Sequence, residues 1–116
     1  MADERGTLVI AQRAFGFEVQ RVFWIVGTNG RDRGGHRHHV TRQAFVAISG
    51  AVEIALDDGV HRANVTLDSP AACLVVEPED WHTMRFTDGA VLLVFASTEY
   101  DPDDYIYEPY VRETEE

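Results

Sequence analysis

Positive charge is what this sequence has least of: ten basic residues stand against twenty acidic ones, for a formal net charge of -10 at pH 7. That balance repels nucleic-acid phosphates and anionic membranes at long range and excludes a general polyanion-binding role. Lysine is missing altogether, so every basic residue is an arginine. A single cysteine, Cys73, excludes an internal disulfide framework, and its place in the apolar run Ala71 to Val76 predicts a small buried hydrophobe. No apolar stretch approaches the roughly 20 residues of a membrane span. Met1 to Thr7 lacks the basic and apolar regions of a secretory signal, which leaves the cytoplasm as the expected location. Helical periodicity is nearly absent as well, so a helical bundle is excluded.

What is present fits a folded β protein. With 45% hydrophobic and 26% charged residues the chain has material for a core and is not a disordered polymer. At 116 residues it fits one domain, read as spanning 1–116. Short runs rich in Val, Ile, Phe and Thr recur between Gly, Asp and Pro, which predicts an all-β chain of about eight strands. They are expected at Thr7 to Ala11, Phe17 to Val26, Gln43 to Ser49, Ala51 to Leu56, Val60 to Thr66, Cys73 to Glu77, Trp81 to Phe86 and Val91 to Ser97. Thr28-Asn29-Gly30, Asp57-Asp58-Gly59 and Asp88-Gly89 supply turn signals. This spacing suits a sandwich or barrel, and a jelly roll fits it best. A short acidic C-terminal tail, Asp101 to Glu116, with Tyr105, Tyr107 and Tyr110 interleaved, is expected as a short helix or a folded-over strap.

Six of the ten arginines lie between Arg13 and Arg42. An acidic shell around an arginine-rich segment suits a small phosphorylated ligand, because guanidinium makes forked hydrogen bonds to phosphate oxygens; a solvated loop is the alternative. Arg21 lies on the alternating strand from Phe17. If its phase with Val19 and Phe23 turns it inward, it needs an anionic partner, either a ligand phosphate or a carboxylate such as Glu53.

Three of the five histidines fall in Gly34-Gly35-His36-Arg37-His38-His39. On an extended backbone His36 and His38 project to one face while His39 points away. His36, His38, Gln43 and Gly50, followed by Pro78 and His82, resemble the two motifs of the cupin superfamily, in which the first supplies His, His and an acid and the second a further His. Gln43 occupies the acid position and is a poor ligand for hard divalent cations, yet three imidazoles still suit a first-row metal, so the motif leaves metal binding open. His82 faces away from Trp81 on its strand, as a packed core histidine or as a site residue. His61, beside the Asp58-Gly59 turn, reads as solvated.

The resemblance then narrows. Arg33-Gly34-Gly35-His36-Arg37-His38 with Gln43 is similar to the Arg-Gly-X-His-X-His signature of the dTDP-4-keto-6-deoxyglucose 3,4-ketoisomerases. Arg5-Gly6-Thr7-Leu8, Arg21-Val22-Phe23, Leu67-Asp68-Ser69-Pro70, Trp81-His82-X-Met84, Tyr100-Asp101 and Asp104-Tyr105-Ile106 match in order. The resemblance implies a cupin-type jelly-roll homodimer without a required metal or other cofactor. It also implies a dTDP-linked 4-keto-6-deoxy hexose converted to its 3-keto isomer in deoxyamino sugar biosynthesis. It makes His36 and His38 the catalytic pair and assigns Arg33 to the pyrophosphate or to positioning of the site. Arg37 and His39 depart from the Ala and Lys common around the second His, and Trp24 stands where Tyr is typical.

Moving a ketone from C4 to C3 requires removal of the C3 proton, an enediol, and return of a proton at C4. Two imidazoles on one face can share that work, since imidazole titrates near neutrality. Arg33 or Gln43 is expected to donate hydrogen bonds to the developing enolate, and Trp24 or Tyr105 to stack on the nucleotide base. Competing readings are a metal-dependent cupin enzyme using His36, His38 and His82, a nucleotide-sugar epimerase, and a non-catalytic nucleotide-sugar sensor.

Overall fold

Alternation of inward apolar and outward residues decides which face of each strand is buried, and the strands stack on that basis. The computed structural model describes residues 1–27 and 31–111. In chain order the strands are β1 (Ala2–Asp3), β2 (Gly6–Thr7), β3 (Arg21–Val26), β4 (Asp32–His38), β5 (Gln43–Ser49), β6 (Val52–Asp57), β7 (Arg62–Leu67), β8 (Leu74–Val76), β9 (Trp81–Phe86) and β10 (Val91–Ala96). A 3-10 turn, Pro102–Asp104, then leads into β11 (Tyr105–Ile106). No α-helix occurs among the described residues, and no helix is long and apolar enough to cross a membrane.

Two antiparallel sheets form a jelly-roll sandwich of the cupin type. One has the order β3-β10-β5-β8 and the other β11-β4-β9-β6-β7. No strand belongs to both, so the molecule is an open sandwich in place of a closed barrel. Phe45, Ala47, Leu92 and Val94 of the first sheet pack against Val52, Ile54, Leu67, Met84 and Phe86 of the second, all at most 5% exposed. Truncating the fully buried Phe45 or Phe86 to alanine would cost about 3 to 5 kcal/mol at such sites.

Most expected strands form within a residue or two of the positions read from the sequence. The first two differ. Of the expected Thr7 to Ala11 strand only Thr7 is extended, in Gly6–Thr7, which pairs with Ala2–Asp3 in a separate two-stranded ribbon, and the long second strand begins at Arg21. Ahead of it, Phe15 stacks on Phe17 and on Phe95, with ring centroids 5.9 and 4.9 Å apart, and Arg42 donates to the Gly16 carbonyl at 2.8 Å, so ring contacts and a side-chain hydrogen bond hold that segment. Cys73 is exposed, contrary to expectation, because it ends the turn ahead of Leu74 and lies outside the buried part of β8. The Thr28-Asn29-Gly30 turn lies outside the described residues. The tail takes the strap form: Tyr105–Ile106 pairs with β4, the Tyr110 hydroxyl donates to the Glu79 carbonyl at 2.7 Å, and Arg37 stacks over Tyr110 at 4.2 Å.

Candidate active site

The site is the polar end of the space between the sheets, and β4 makes it. Gly34 and Gly35 both have positive φ, 85° and 78°, at a register shift between Gly34 and His36. A Cβ on Gly34 would lie 2.8 Å from the His82 carbonyl oxygen, so glycine is required by both conformation and space. Beyond the shift, His36 stands directly opposite His82, and His38 opposite Tyr105. Cross-strand partners share a face, so the four rings converge. His36 lies 5.1 Å from His38, 4.7 Å from His82 and 4.9 Å from Tyr105, centroid to centroid.

Each of the two deeper histidines is oriented from behind. His38 Nδ1 lies 3.0 Å from Asp104 Oδ2, with both side chains almost fully buried. Asp104 also accepts from the Val40 N–H at 2.9 Å, the His39 N–H at 3.2 Å and the Thr41 hydroxyl. His82 Nδ1 lies 3.0 Å from the Asp80 carbonyl, which only accepts, so this nitrogen carries the proton. His82 is 1% exposed and lines the cavity. His61 is exposed, as expected.

The cavity has a volume of about 330 Å³, at the lower end of the range for small-molecule sites. Phe45, Met84 and Val94 give it an apolar floor, while Arg33, His36, Gln43, His82 and Tyr105 supply its polar groups. Gln43 is 2% exposed and its Oε1 has no hydrogen-bond partner. Trp24 touches the cavity, but it alternates outward between Val22 and Val26 and is 66% exposed. Arg21 is in phase with Phe23 and Ile25, as the inward reading requires, yet it does not line the cavity. Its guanidinium sits over Phe23 and Tyr100 at 5.2 and 5.7 Å, and its buried Nε has no partner. Glu53 is not that partner; it lies on β6 opposite Arg85. The sequence-predicted residues His36, Arg33, Gln43 and Tyr105 thus come together around the cavity, with His38 behind His36, Trp24 at the edge and Arg21 outside it.

Burial dominates the electrostatics. It pushes His36 down to about 4, helped by the charge of His82 and opposed by a hydrogen bond to the Gly34 backbone. His38 falls to about 4 through burial and His36, against the pull of Asp104, and His82 falls to about 4 through burial, against its bond to the Asp80 backbone. Burial alone would raise Asp104, but the hydrogen bonds from Thr41, Val40 and His38 outweigh it and hold the carboxyl below its ordinary value. At neutral pH the site therefore presents three uncharged imidazoles and one carboxylate. Among the described residues no set of three or more His, Cys, Asp or Glu side chains is placed to hold a metal ion.

The model of the family described as "FdtA: WxcM-like, C-terminal" matches residues 1–114. The chain belongs to the FdtA family. Among relatives of this FdtA-family chain, a TDP-4-oxo-6-deoxy-alpha-D-glucose-3,4-oxoisomerase of Aneurinibacillus thermoaerophilus is 41% identical over 108 residues, which cover 90% of this chain and 78% of that protein. The WlaRB TDP-quinovose 3,4-ketoisomerase of Campylobacter jejuni superposes with a TM-score of 0.88 at 34% identity, over 93% of this chain and 86% of that one. A histidine-to-asparagine mutant of the 3,4-ketoisomerase QdtA of Thermoanaerobacterium thermosaccharolyticum, in complex with TDP-4-keto-6-deoxyglucose, superposes with a TM-score of 0.86 at 33% identity, over 93% and 81% of the two chains.

Asp104 and Thr41 were not legible from residue types, whereas His82 stood open between a packed core histidine and a site residue. Asp104 appeared only within a stretch shared with the family, amid a tail of other acids. What sets it apart is Asp101-Pro102: Asp101 caps the 3-10 turn, accepting from the Asp103 N–H at 3.0 Å, and this turns Asp104 inward.

Proposed function

We propose that this FdtA-family chain is a sugar 3,4-ketoisomerase that acts on a dTDP-linked 4-keto-6-deoxyhexose in deoxyamino sugar biosynthesis. The observation that carries the reading is His36: an uncharged imidazole in a cavity of sugar size, flanked by His38, His82 and Tyr105, on the family's signature strand. His36 and His38 form the acid-base pair. One takes the proton from C3 as the C4 carbonyl oxygen is protonated, giving the enediol. Loss of the C3 hydroxyl proton and delivery of a proton to C4 then completes the 3-keto product, with no net oxidation. Gln43, buried in the cavity wall, hydrogen-bonds an oxygen on which charge develops.

The cavity is too small for a whole nucleotide sugar, so the hexose occupies it and the diphosphate lies at the mouth. Arg33 is exposed there, and among the described residues neither Arg33 nor Arg21 forms an ion pair, which suits both to an anionic ligand. Of the two aromatics, Trp24, exposed at the cavity edge, flanks the base, while Tyr105 lines the hexose cavity beside His36 and His38. Residues 1–116 act as one domain, in a homodimer, in the cytoplasm, and no metal or other cofactor takes part.

The test is incubation with dTDP-4-keto-6-deoxyglucose after exhaustive chelation, trapping of the 3-keto product with a 3-aminotransferase, and product identification by NMR. Turnover is expected to survive chelation. His36→Asn and His38→Asn should each lower kcat by about two to four orders of magnitude with folding retained. Full activity in both variants would falsify the assignment, and a C3 or C5 epimer as product would reassign the chemistry.

A further inference from the structure

We propose that Asp104 is a positioning residue that locks His38 as the Nδ1–H tautomer and so keeps its Nε2 as a free lone pair for proton transfer. The purpose of this lock rests on the ketoisomerase reading; the lock itself does not.

The inference comes from counting donors. An ionised carboxylate can only accept. Asp104 Oδ1 receives the Val40 and His39 N–H groups at 2.9 and 3.2 Å. Oδ2 receives the Thr41 hydroxyl and faces His38 Nδ1 at 3.0 Å. Thr41 has one hydroxyl proton, and giving it to Asp104 leaves its oxygen to accept from Thr98 Oγ1 at 2.7 Å. Donation therefore runs from Thr98 to Thr41 to Asp104, and His38 is the one member with a choice of tautomer. With a carboxylate in front of it, Nδ1 carries the proton. In a neutral ring Nε2 then carries none.

The far edge of the ring agrees with this. Nε2 of His38 is buried without a hydrogen-bond partner, in a ring packed 5.1 Å from His36, 6.2 Å from His82 and 4.6 Å from Tyr105. Asp104 itself is 6% exposed and does not line the cavity, so it acts through His38 and not on a ligand. A buried carboxylate is costly unless its lone pairs are filled, and the donors around Asp104 fill them. When Nε2 takes a proton, the new charge on the ring develops 3.0 Å from Asp104, against the opposing fields of His36 and Arg21. The Asp thus favours the loaded state as well as the tautomer, as in other His-Asp pairs.

The decisive measurement is the nitrogen-15 NMR spectrum of labelled protein at pH 7 without ligand, with His38 assigned by its loss in His38→Asn. The expected result is a protonated, pyrrole-type Nδ1 and a pyridine-type Nε2. The opposite tautomer overturns the proposal, whether or not a keto sugar is turned over, so failure of the lock and failure of the functional reading are distinguishable. In Asp104→Asn the carboxamide N–H₂ faces Nδ1 and the tautomer should invert. There kcat should fall by about 10² to 10⁴ while KM stays within about threefold, and Asp104→Glu should recover part of the loss. Wild-type kcat in folded Asp104→Asn overturns the proposal. If that variant does not fold, Thr41→Val removes one donor and spares the carboxylate. His38 should then remain Nδ1–H and kcat fall by no more than about tenfold, whereas inversion in Thr41→Val refutes the role of Asp104.

Discussion

A histidine ordinarily titrates near 6.5, and at this site burial moves His36, His38 and His82 to about 4. The direction has a kinetic consequence. A lowered value means that the proton-accepting form persists into acid, so the free enzyme should keep its base where an exposed imidazole would already be charged. The acid limb of kcat/KM, which reports the free enzyme, is expected to have its midpoint near pH 4, well below 6.5. The limb belongs to the coupled histidines as a set, since each lies in the field of another. A bound diphosphate brings negative charge that favours the imidazolium, so the acid limb of kcat should lie above that of kcat/KM. Initial rates from about pH 3 to 8, with recovery of activity at pH 7 checked after each acid exposure, define both acid limbs. A kcat/KM midpoint at or above 6.5 would contradict the burial argument.

At the scale of the element, β4 carries the site and shows what a sequence reveals of a strand. Asp-Arg-Gly-Gly-His-Arg-His contains no apolar residue, and it is extended because β9 and β11 supply ladders on both sides. β-propensity reports packing on a half-buried face, and a strand whose inward face is a polar cavity has no such signal. Strands facing the core, such as β5, β9 and β10, were legible to within a residue because their alternation is the core's own pattern. The His36 and His38 pairing was likewise legible from period-two spacing, whereas Asp104 was not, because its partner is 66 residues away. The register shift at Gly34 yields a comparison. Gly34→Ala and Gly89→Ala both force alanine into positive φ, at 85° and 74°, but only the first drives a Cβ into backbone, 2.8 Å from the His82 carbonyl, while Gly89 has open space. Denaturant unfolding should show about 1 to 2 kcal/mol lost for Gly89→Ala and clearly more for Gly34→Ala. Only Gly34→Ala should also lower kcat, since it displaces His36 from His82. Equal losses in the two variants would mean that the close approach carries no weight.

At the scale of the whole molecule, apolar surface is left over. The described chain measures 54 × 31 × 23 Å with a radius of gyration of 15.0 Å, larger than the roughly 13 Å of a compact domain of this size. Residues 1–14 are exposed throughout, with Leu8, Val9 and Ile10 among them. On β3, an edge strand, Val22, Trp24 and Val26 turn outward at 47%, 66% and 64% exposure, beside the half-buried Val91, Leu93 and Phe95 of β10. Five apolar side chains in register across two strands, bounded by Phe95 under the Phe15 ring, make a contiguous patch of the kind monomeric proteins rarely expose. The proposed homodimer covers it. A second copy suits it better than an anionic partner, because the patch carries no charge while the chain as a whole carries -10, and self-association must bury a neutral face. Val22→Lys with Val26→Lys places two cations per copy in that face, facing their own equivalents. Sedimentation velocity should then show a dimer for the parent chain and a monomer for the double variant, with the far-ultraviolet circular dichroism unchanged, since both side chains point away from the core. Retention of the dimer in the folded double variant would move the interface elsewhere on the molecule, and the exposed arm of residues 1–14 would be the next segment to charge.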